Sequence, residues 1–171
     1  MIELELSAPR VTTWGEIWSH EIVSRHFLFE HTVTSEKYIQ MLQNKIIPEL
    51  EEHPNFHTKI IWQHNNGAPL HYGQHVRDYL DNTFAQWIGH RRTIEWSPRS
   101  LDITPCDFSL WEIMKDNVYT GKPRDVEHLK FLIKQEFTSL NGDIELCQSI
   151  CRSVANRCEI CVSTEGAQFE H

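Results

Sequence analysis

The sequence predicts an α/β domain in which a mixed sheet is covered by helices, and three observations lead to this prediction. Two segments rich in β-branched and aromatic residues come first, segments of strand and helix character then alternate, and only helices follow. The length of 171 residues suits one domain. A content of 40% apolar and 23% charged residues is typical of a globular chain. We therefore expect residues 1–171 to form a single domain.

The first part of the chain predicts strands. Residues 11–18 and 22–29 are rich in β-branched and aromatic residues, and the short polar link at 19–21 favours an antiparallel pair. Apolar residues alternate with glutamates over residues 2–6, which predicts a further short strand at the N-terminus.

The middle of the chain predicts alternating helices and strands. Thr34 is a suitable N-cap for a helix that runs to about residue 51, and Pro48 should end or bend that helix. A buried strand is predicted within 58–63, a helix over 71–84 and a short strand over 93–96. This alternation is the basis for the α/β class.

The last part of the chain predicts helices with clear start signals. Thr104 suits an N-cap, a proline follows it at the first helical position, and Asp107 occupies the third. Asp125 should cap the next helix, which Asn141-Gly142-Asp143 should end. A final helix is predicted over residues 144–161.

Charge and composition narrow the functional classes. The net charge is −8, from 16 basic and 24 acidic side chains, which argues against strong non-specific binding to nucleic acid. Residues 61–124 carry equal numbers of both signs, so any polyanion contact is expected there. The chain has neither a long apolar run nor a basic, apolar start, and its five cysteines suit reducing conditions, so we expect an intracellular protein without a membrane span.

Several motifs occur in an order that resembles a known family. The matched segments are residues 11–15, 32–42, 62–72, 96–111, 157–166 and 169–171. The most specific of them begins with Trp96-Ser97-Pro98-Arg99-Ser100-Leu101-Asp102-Ile103-Thr104-Pro105-Cys106-Asp107. Together they resemble the catalytic domain of Tc1/mariner-type DNA transposases, which belong to the DDE superfamily.

The resemblance implies a ribonuclease-H-like fold, with a mixed sheet, flanking helices and C-terminal helices. It covers residues 7–171 and implies a core at about 7–121 and a helical extension at 122–171. The first strand of the family lies upstream of the first matched segment, so we expect it to be missing or incomplete here, with residues 2–6 as a partial replacement.

The resemblance also implies a metal site, which this sequence changes. In the family three acidic side chains hold two Mg²⁺ ions that cleave and transfer DNA strands. Asp107 matches the third acid, whereas Asn66 stands where the family has the second, and the first acid is expected upstream. Because an amide brings no negative charge, we expect a degenerate, catalytically inactive domain with no functional Mg²⁺.

The resemblance further implies a nucleus-located protein that contacts DNA. Arg91, Arg92 and Arg99 form the best basic cluster, although such a cluster can also be a solvated loop. The helix-turn-helix of the family lies upstream, so we expect weak, non-specific DNA binding. A protein-interaction module that forms a homodimer and a surviving divalent-metal nuclease remain alternatives on the same fold.

Two further groups could bind a transition metal. His64 and His71 flank the Asn66 turn and could hold a metal together with Asp107, or they could have polar structural roles. Four cysteines lie within fifteen residues, and four thiolates can bind zinc. Their spacing falls in a predicted helix, where cysteine usually packs as a small apolar residue. Zinc therefore stays open at Cys147, Cys151, Cys158 and Cys161.

Overall fold

The computed structural model describes residues 11–19, 27–29, 32–54, 56, 60–64, 71, 73–89, 94–96 and 100–167. The chain forms two compact units. The terminal unit combines Met1–Thr32 with Asp102–His171, and the central unit consists of Val33–Leu101. The predicted strand at 2–6 lies outside the described residues, and the single domain with a boundary near residue 121 stays a prediction.

Within the described residues the strands are two or three residues long and the helices are longer. A 3₁₀ turn covers Leu101–Ile103. Two helical sections, Leu42–Ile46 and Cys106–Leu110, are π-helical. In chain order the elements are β1 (Thr12–Trp14), β2 (Phe27–Phe29), α1 (Ser35–Met41, Leu42–Ile46 and Ile47–Glu51), β3 (Trp62–Gln63), α2 (Gln74–Thr83), β4 (Trp87–Ile88), α3 (Cys106–Leu110 and Trp111–Thr120), α4 (Val126–Asn141) and α5 (Ile144–Ser163).

The predicted antiparallel pair of the terminal unit is confirmed over the described residues. Thr12 lies opposite Phe29 and Trp14 opposite Phe27, whereas most of the predicted link at 19–21 lies outside the described residues. Gly15 follows β1, and a Cβ atom there would come within 3.1 Å of the Trp111 and Phe137 rings. The chain after β1 therefore packs so closely against these rings that a side chain at this position would not fit without a shift of the rings.

The core of the terminal unit is built by α3, α4 and α5. The buried apolar residues of α4, Ile133, Phe137 and Leu140, follow one another at helical spacing and share one face of the helix, as the sequence predicts. Asp125 caps α4 by accepting a hydrogen bond from the His128 amide at 2.7 Å, and Asp143 caps α5 in the same way. The buried cluster contains Leu110, Met114, Val118, Ile133, Phe137, Leu140 and Cys147.

The central unit packs α1 and α2 with a two-stranded sheet. Trp62 of β3 lies beside Trp87 of β4 in a parallel pair. Thr34 caps α1 as predicted, and its hydroxyl accepts a hydrogen bond from the Lys37 amide at 3.4 Å. The buried apolar side chains are Tyr38, Met41, Leu42, Ile46, Ile47, Leu50, Phe56, Trp62, Val76, Leu80, Phe84 and Trp87.

A π-helical section lets α1 continue past Pro48, where the sequence predicts an end or a bend. Proline has no amide hydrogen and its ring clashes with the carbonyl four residues earlier in a regular α-helix. Here the Ile47 amide donates to the carbonyl of Leu42, five residues back, which widens the turn just before the proline. The helix then runs to Glu51.

One strand of the central unit lies elsewhere than predicted. The described residues 94–96 are not a strand; instead the Gly89 amide donates to the carbonyl of Ile94 and the Trp96 amide donates to that of Gly89, both at 3.3 Å. These bonds fold the chain back on itself. The partner of β3 is β4, which the sequence analysis missed because two residues are too short to show a period. No helix in the described part of the chain is both long and apolar enough to cross a membrane.

Candidate functional site

Asp107 lies in the first turn of α3, where the sequence places it. The carbonyl of Thr104 accepts hydrogen bonds from the amides of Asp107 at 2.9 Å and Phe108 at 3.0 Å. Thr104 is buried and Asp107 is partly exposed. The predicted helix start is therefore confirmed, with Asp107 in the first turn of the helix. A carboxylate at this position is stabilised by the positive end of the helix dipole.

A partly buried cysteine lies next to Asp107. The Cys106 Sγ lies 4.0 Å from the carbonyl oxygen of Gly15. Burial, together with the negative charges of Asp107 and Glu16, raises the pKa of Cys106 to about 12. Glu16 is thus a second carboxylate close to this thiol, which the sequence analysis did not single out because 90 residues separate the two in the chain.

The last helix fixes the segment that carries Asp107. Nη1 of Arg157 in α5 donates a hydrogen bond to the carbonyl oxygen of Asp102 at 2.7 Å. The same guanidinium group lies over the Phe108 ring, 3.8 Å from the ring centroid, in a cation–π contact. One side chain therefore holds the chain on both sides of Asp107 within the terminal unit.

His64 in the central unit occupies a buried polar position at the end of β3. Its amide donates to the carbonyl of Ile88 at 2.8 Å, and its Nε2 lies 3.0 Å from the hydroxyl oxygen of Tyr38. Burial, reinforced by the nearby His71, lowers the pKa of His64 to about 3. The ring of His64 is therefore neutral at physiological pH.

Several predicted site residues lie outside the described residues. Asn66, Arg91, Arg92 and Arg99 are among them. In the part of the chain that the structure describes, no group of three or more histidine, cysteine, aspartate or glutamate side chains could hold a metal ion.

The sequence left open a zinc site at four cysteines and a transition-metal site at His64 and His71. The four α5 cysteines are described but do not gather into a zinc site, because Cys147 is buried in the core of the terminal unit. His64 and His71 belong to the central unit and Asp107 to the terminal unit, so a metal site shared by these three residues stays a prediction. His64 and His71 do lie together, with ring centroids 4.8 Å apart.

Comparisons with known proteins bear on the fold. No protein-family model and no curated protein sequence matches the chain. Solved structures do match the chain. It is similar to a Mos1 transposase catalytic domain with raltegravir and Mn, at 21% sequence identity and a TM-score of 0.72. The match covers 94% of this chain and 83% of that chain. It is similar to the catalytic domain of the Mos1 mariner transposase at 20% identity and a TM-score of 0.72, over 94% and 82% of the two chains.

A third similarity involves a longer chain. The Mos1 mariner paired end complex with Mn matches at 20% identity and a TM-score of 0.71, over 99% of this chain and 48% of that chain. The present chain thus spans about half of that protein. At these identities the comparisons establish the fold, which is the ribonuclease-H-like fold of a mariner transposase catalytic domain, and the predicted fold class is confirmed.

Proposed function

We propose that this chain is a degenerate member of the Tc1/mariner transposases, which keeps the catalytic-domain fold without the strand-cleavage and strand-transfer activity. The observation that carries the proposal is Asn66. It occupies the position of an acid within the matched motif at residues 62–72, whereas Asp107 keeps the acid of its own motif. The fold of the Mos1 catalytic domain supports the transposase origin of both motifs.

The loss of charge at Asn66 argues against a two-metal mechanism. Two divalent cations about 4 Å apart repel each other by about 17 kcal/mol at an effective dielectric constant of about 20. Anionic ligands must offset this repulsion. An amide oxygen can coordinate a hard cation but contributes no negative charge. The donor set of the two matched positions therefore does not suit a pair of Mg²⁺ ions, and we assign no functional metal to them.

A DNA cleavage assay tests the proposal directly. Supercoiled plasmid is incubated with the purified chain and either Mg²⁺ or Mn²⁺, alongside D107A and the control D116A, which removes an exposed carboxylate of α3. We expect all three proteins to show the same background. Cleavage by the wild type and by D116A that disappears in D107A would overturn the proposal and favour a surviving metal nuclease.

Residual DNA contact is the part of the ancestral function that the sequence still supports. Arg91, Arg92 and Arg99 fall in the stretch of the chain that carries no net charge, whereas the whole chain carries −8. We propose weak, non-specific binding to DNA in the nucleus through these side chains. At most about three phosphates would be neutralised, so the slope of log K against log salt concentration should not exceed about 3 in magnitude.

Fluorescence anisotropy with a labelled duplex at several salt concentrations measures this binding. The triple alanine variant of the three arginines should lose it, and R152A, which removes an exposed arginine of α5, should keep it. Equal binding by the triple variant and the wild type would rule out these arginines as the contact.

Exposed apolar side chains favour a second candidate, a module that associates with a copy of itself. Ile160 and Val162 near the end of α5 are 43% and 79% exposed. Multi-angle light scattering would show a dimer that I160E/V162E converts to a monomer. A wild type that remains a monomer at high concentration would exclude this candidate.

A further inference from the structure

We propose that His64 and His71 in the central unit form a binding site for one borderline divalent cation, such as Zn²⁺, Ni²⁺ or Cu²⁺. The proposal concerns these two histidines and not the acid positions of the family, and it does not depend on the proposed function. It is argued from the two imidazole rings, the Tyr38 hydroxyl and the burial of His64.

His64 offers a buried nitrogen that has no hydrogen-bond partner. The residue is 3% exposed. Its Nε2 lies 3.0 Å from the Tyr38 hydroxyl, whereas its Nδ1 is buried and accepts or donates no hydrogen bond among the described residues. Buried polar atoms in folded proteins nearly always have a partner, and each exception calls for an explanation such as a bound ion. A cation on Nδ1 would supply that partner.

His71 brings a second imidazole to the required distance. A metal–nitrogen bond of about 2.0–2.1 Å puts a ring centroid about 3.2 Å from the ion. Two rings bound at angles between about 90° and 109° then have centroids about 4.5–5.2 Å apart. The observed separation of His64 and His71 is 4.8 Å, with the planes inclined by 41°. His71 itself is only partly buried.

Tyr38 supplies the outer contact that metal-binding histidines usually have. When one ring nitrogen binds a metal, the other typically donates its hydrogen to an oxygen, which fixes the tautomer and the ring orientation. The Tyr38 hydroxyl, held on α1, is placed to accept this bond from Nε2.

The nature of the ligands decides which cation binds. Neutral imidazoles favour Zn²⁺, Ni²⁺ and Cu²⁺ over the hard cation Mg²⁺. Since no third histidine, cysteine, aspartate or glutamate joins the pair among the described residues, water would complete the coordination. The ion would link residues on both sides of the chain segment 65–70, and binding to the folded state would stabilise the central unit.

Calorimetric titration with Ni²⁺ or Zn²⁺ tests the site on the full chain. The variants are H71A, Y38F and H75A, which removes an exposed histidine of α2 four residues further along the chain and serves as the matched control. We expect one ion per chain in the wild type and in H75A, at least tenfold weaker binding in H71A, and weakening by up to tenfold in Y38F. Mg²⁺ should not compete.

A spectroscopic measurement locates the ion independently. The Trp87 ring lies 6.1 Å from the His64 ring, so bound Cu²⁺ should quench its fluorescence in the wild type and in H75A but not in H71A. Circular dichroism establishes that each variant is folded. Absence of saturable binding in the wild type, unchanged binding in H71A, or an equal loss in H75A would each overturn the proposal.

Discussion

Acid should unfold the central unit through His64. In the folded chain burial lowers the pKa of this histidine from 6.5 to about 3. In the unfolded chain the ring regains its ordinary pKa, so below pH 6.5 the unfolded state binds a proton that the folded state does not. The stability that His64 contributes is therefore complete above pH 6.5 and is lost as the pH falls towards 3.

The size of the loss follows from the shift. Each pH unit between the two pKa values costs about 1.4 kcal/mol of unfolding free energy. From pH 6.5 to pH 4 the expected loss is therefore about 3 kcal/mol. This is a large part of the stability of an ordinary domain, which is about 5–15 kcal/mol.

Urea unfolding from pH 4 to pH 7 measures this loss, with the wild type compared with H64Q. The glutamine can still form a hydrogen bond with Tyr38 but does not titrate in this range. Between pH 6.5 and pH 4 the unfolding free energy of H64Q should therefore fall by about 3 kcal/mol less than that of the wild type. H128A, which removes a histidine of the terminal unit, is the control. Equal slopes for the wild type and H64Q, or an NMR titration that protonates His64 near pH 6.5, would refute the reasoning.

Two further predictions concern the terminal unit. R157A should lower the unfolding free energy by about 1–3 kcal/mol, because it removes the hydrogen bond to the Asp102 carbonyl and the cation–π contact with Phe108; a change below about 0.3 kcal/mol in urea unfolding would contradict this role. D125A should cost about 1 kcal/mol, because it leaves the His128 amide without its capping acceptor. D125N should recover most of that loss, and no recovery would speak against capping.

The local features of the fold were predictable from the sequence. Thr34 and Asp125 cap their helices as predicted, because a capping side chain bonds to an amide only three residues away. The break at Asn141-Gly142-Asp143 is likewise set by neighbouring residues. Asp107 lies in the first turn of α3 for the same reason.

Features that depend on distant residues were not predictable. Trp87 belongs to a strand because it pairs with Trp62, twenty-five residues earlier, and not because of its own neighbours. The contact of Arg157 with Phe108 joins two helices, and a short-range sequence pattern does not predict such a contact. In the candidate metal site, His64 and His71 were recognised from their spacing, whereas the Tyr38 hydroxyl that orients His64 lies 26 residues away in the chain.

The π-helical section of α1 has a consequence for changes in chain length. A π-turn holds one residue more than the α-helical turn it replaces, and Gln43, Asn44 and Lys45 are exposed. If Pro48 were also replaced, deletion of one of these three codons would leave a regular helix whose two flanks still face inward. The same deletion in the middle of α4 would rotate every later side chain by about 100° and carry Phe137 out of the core.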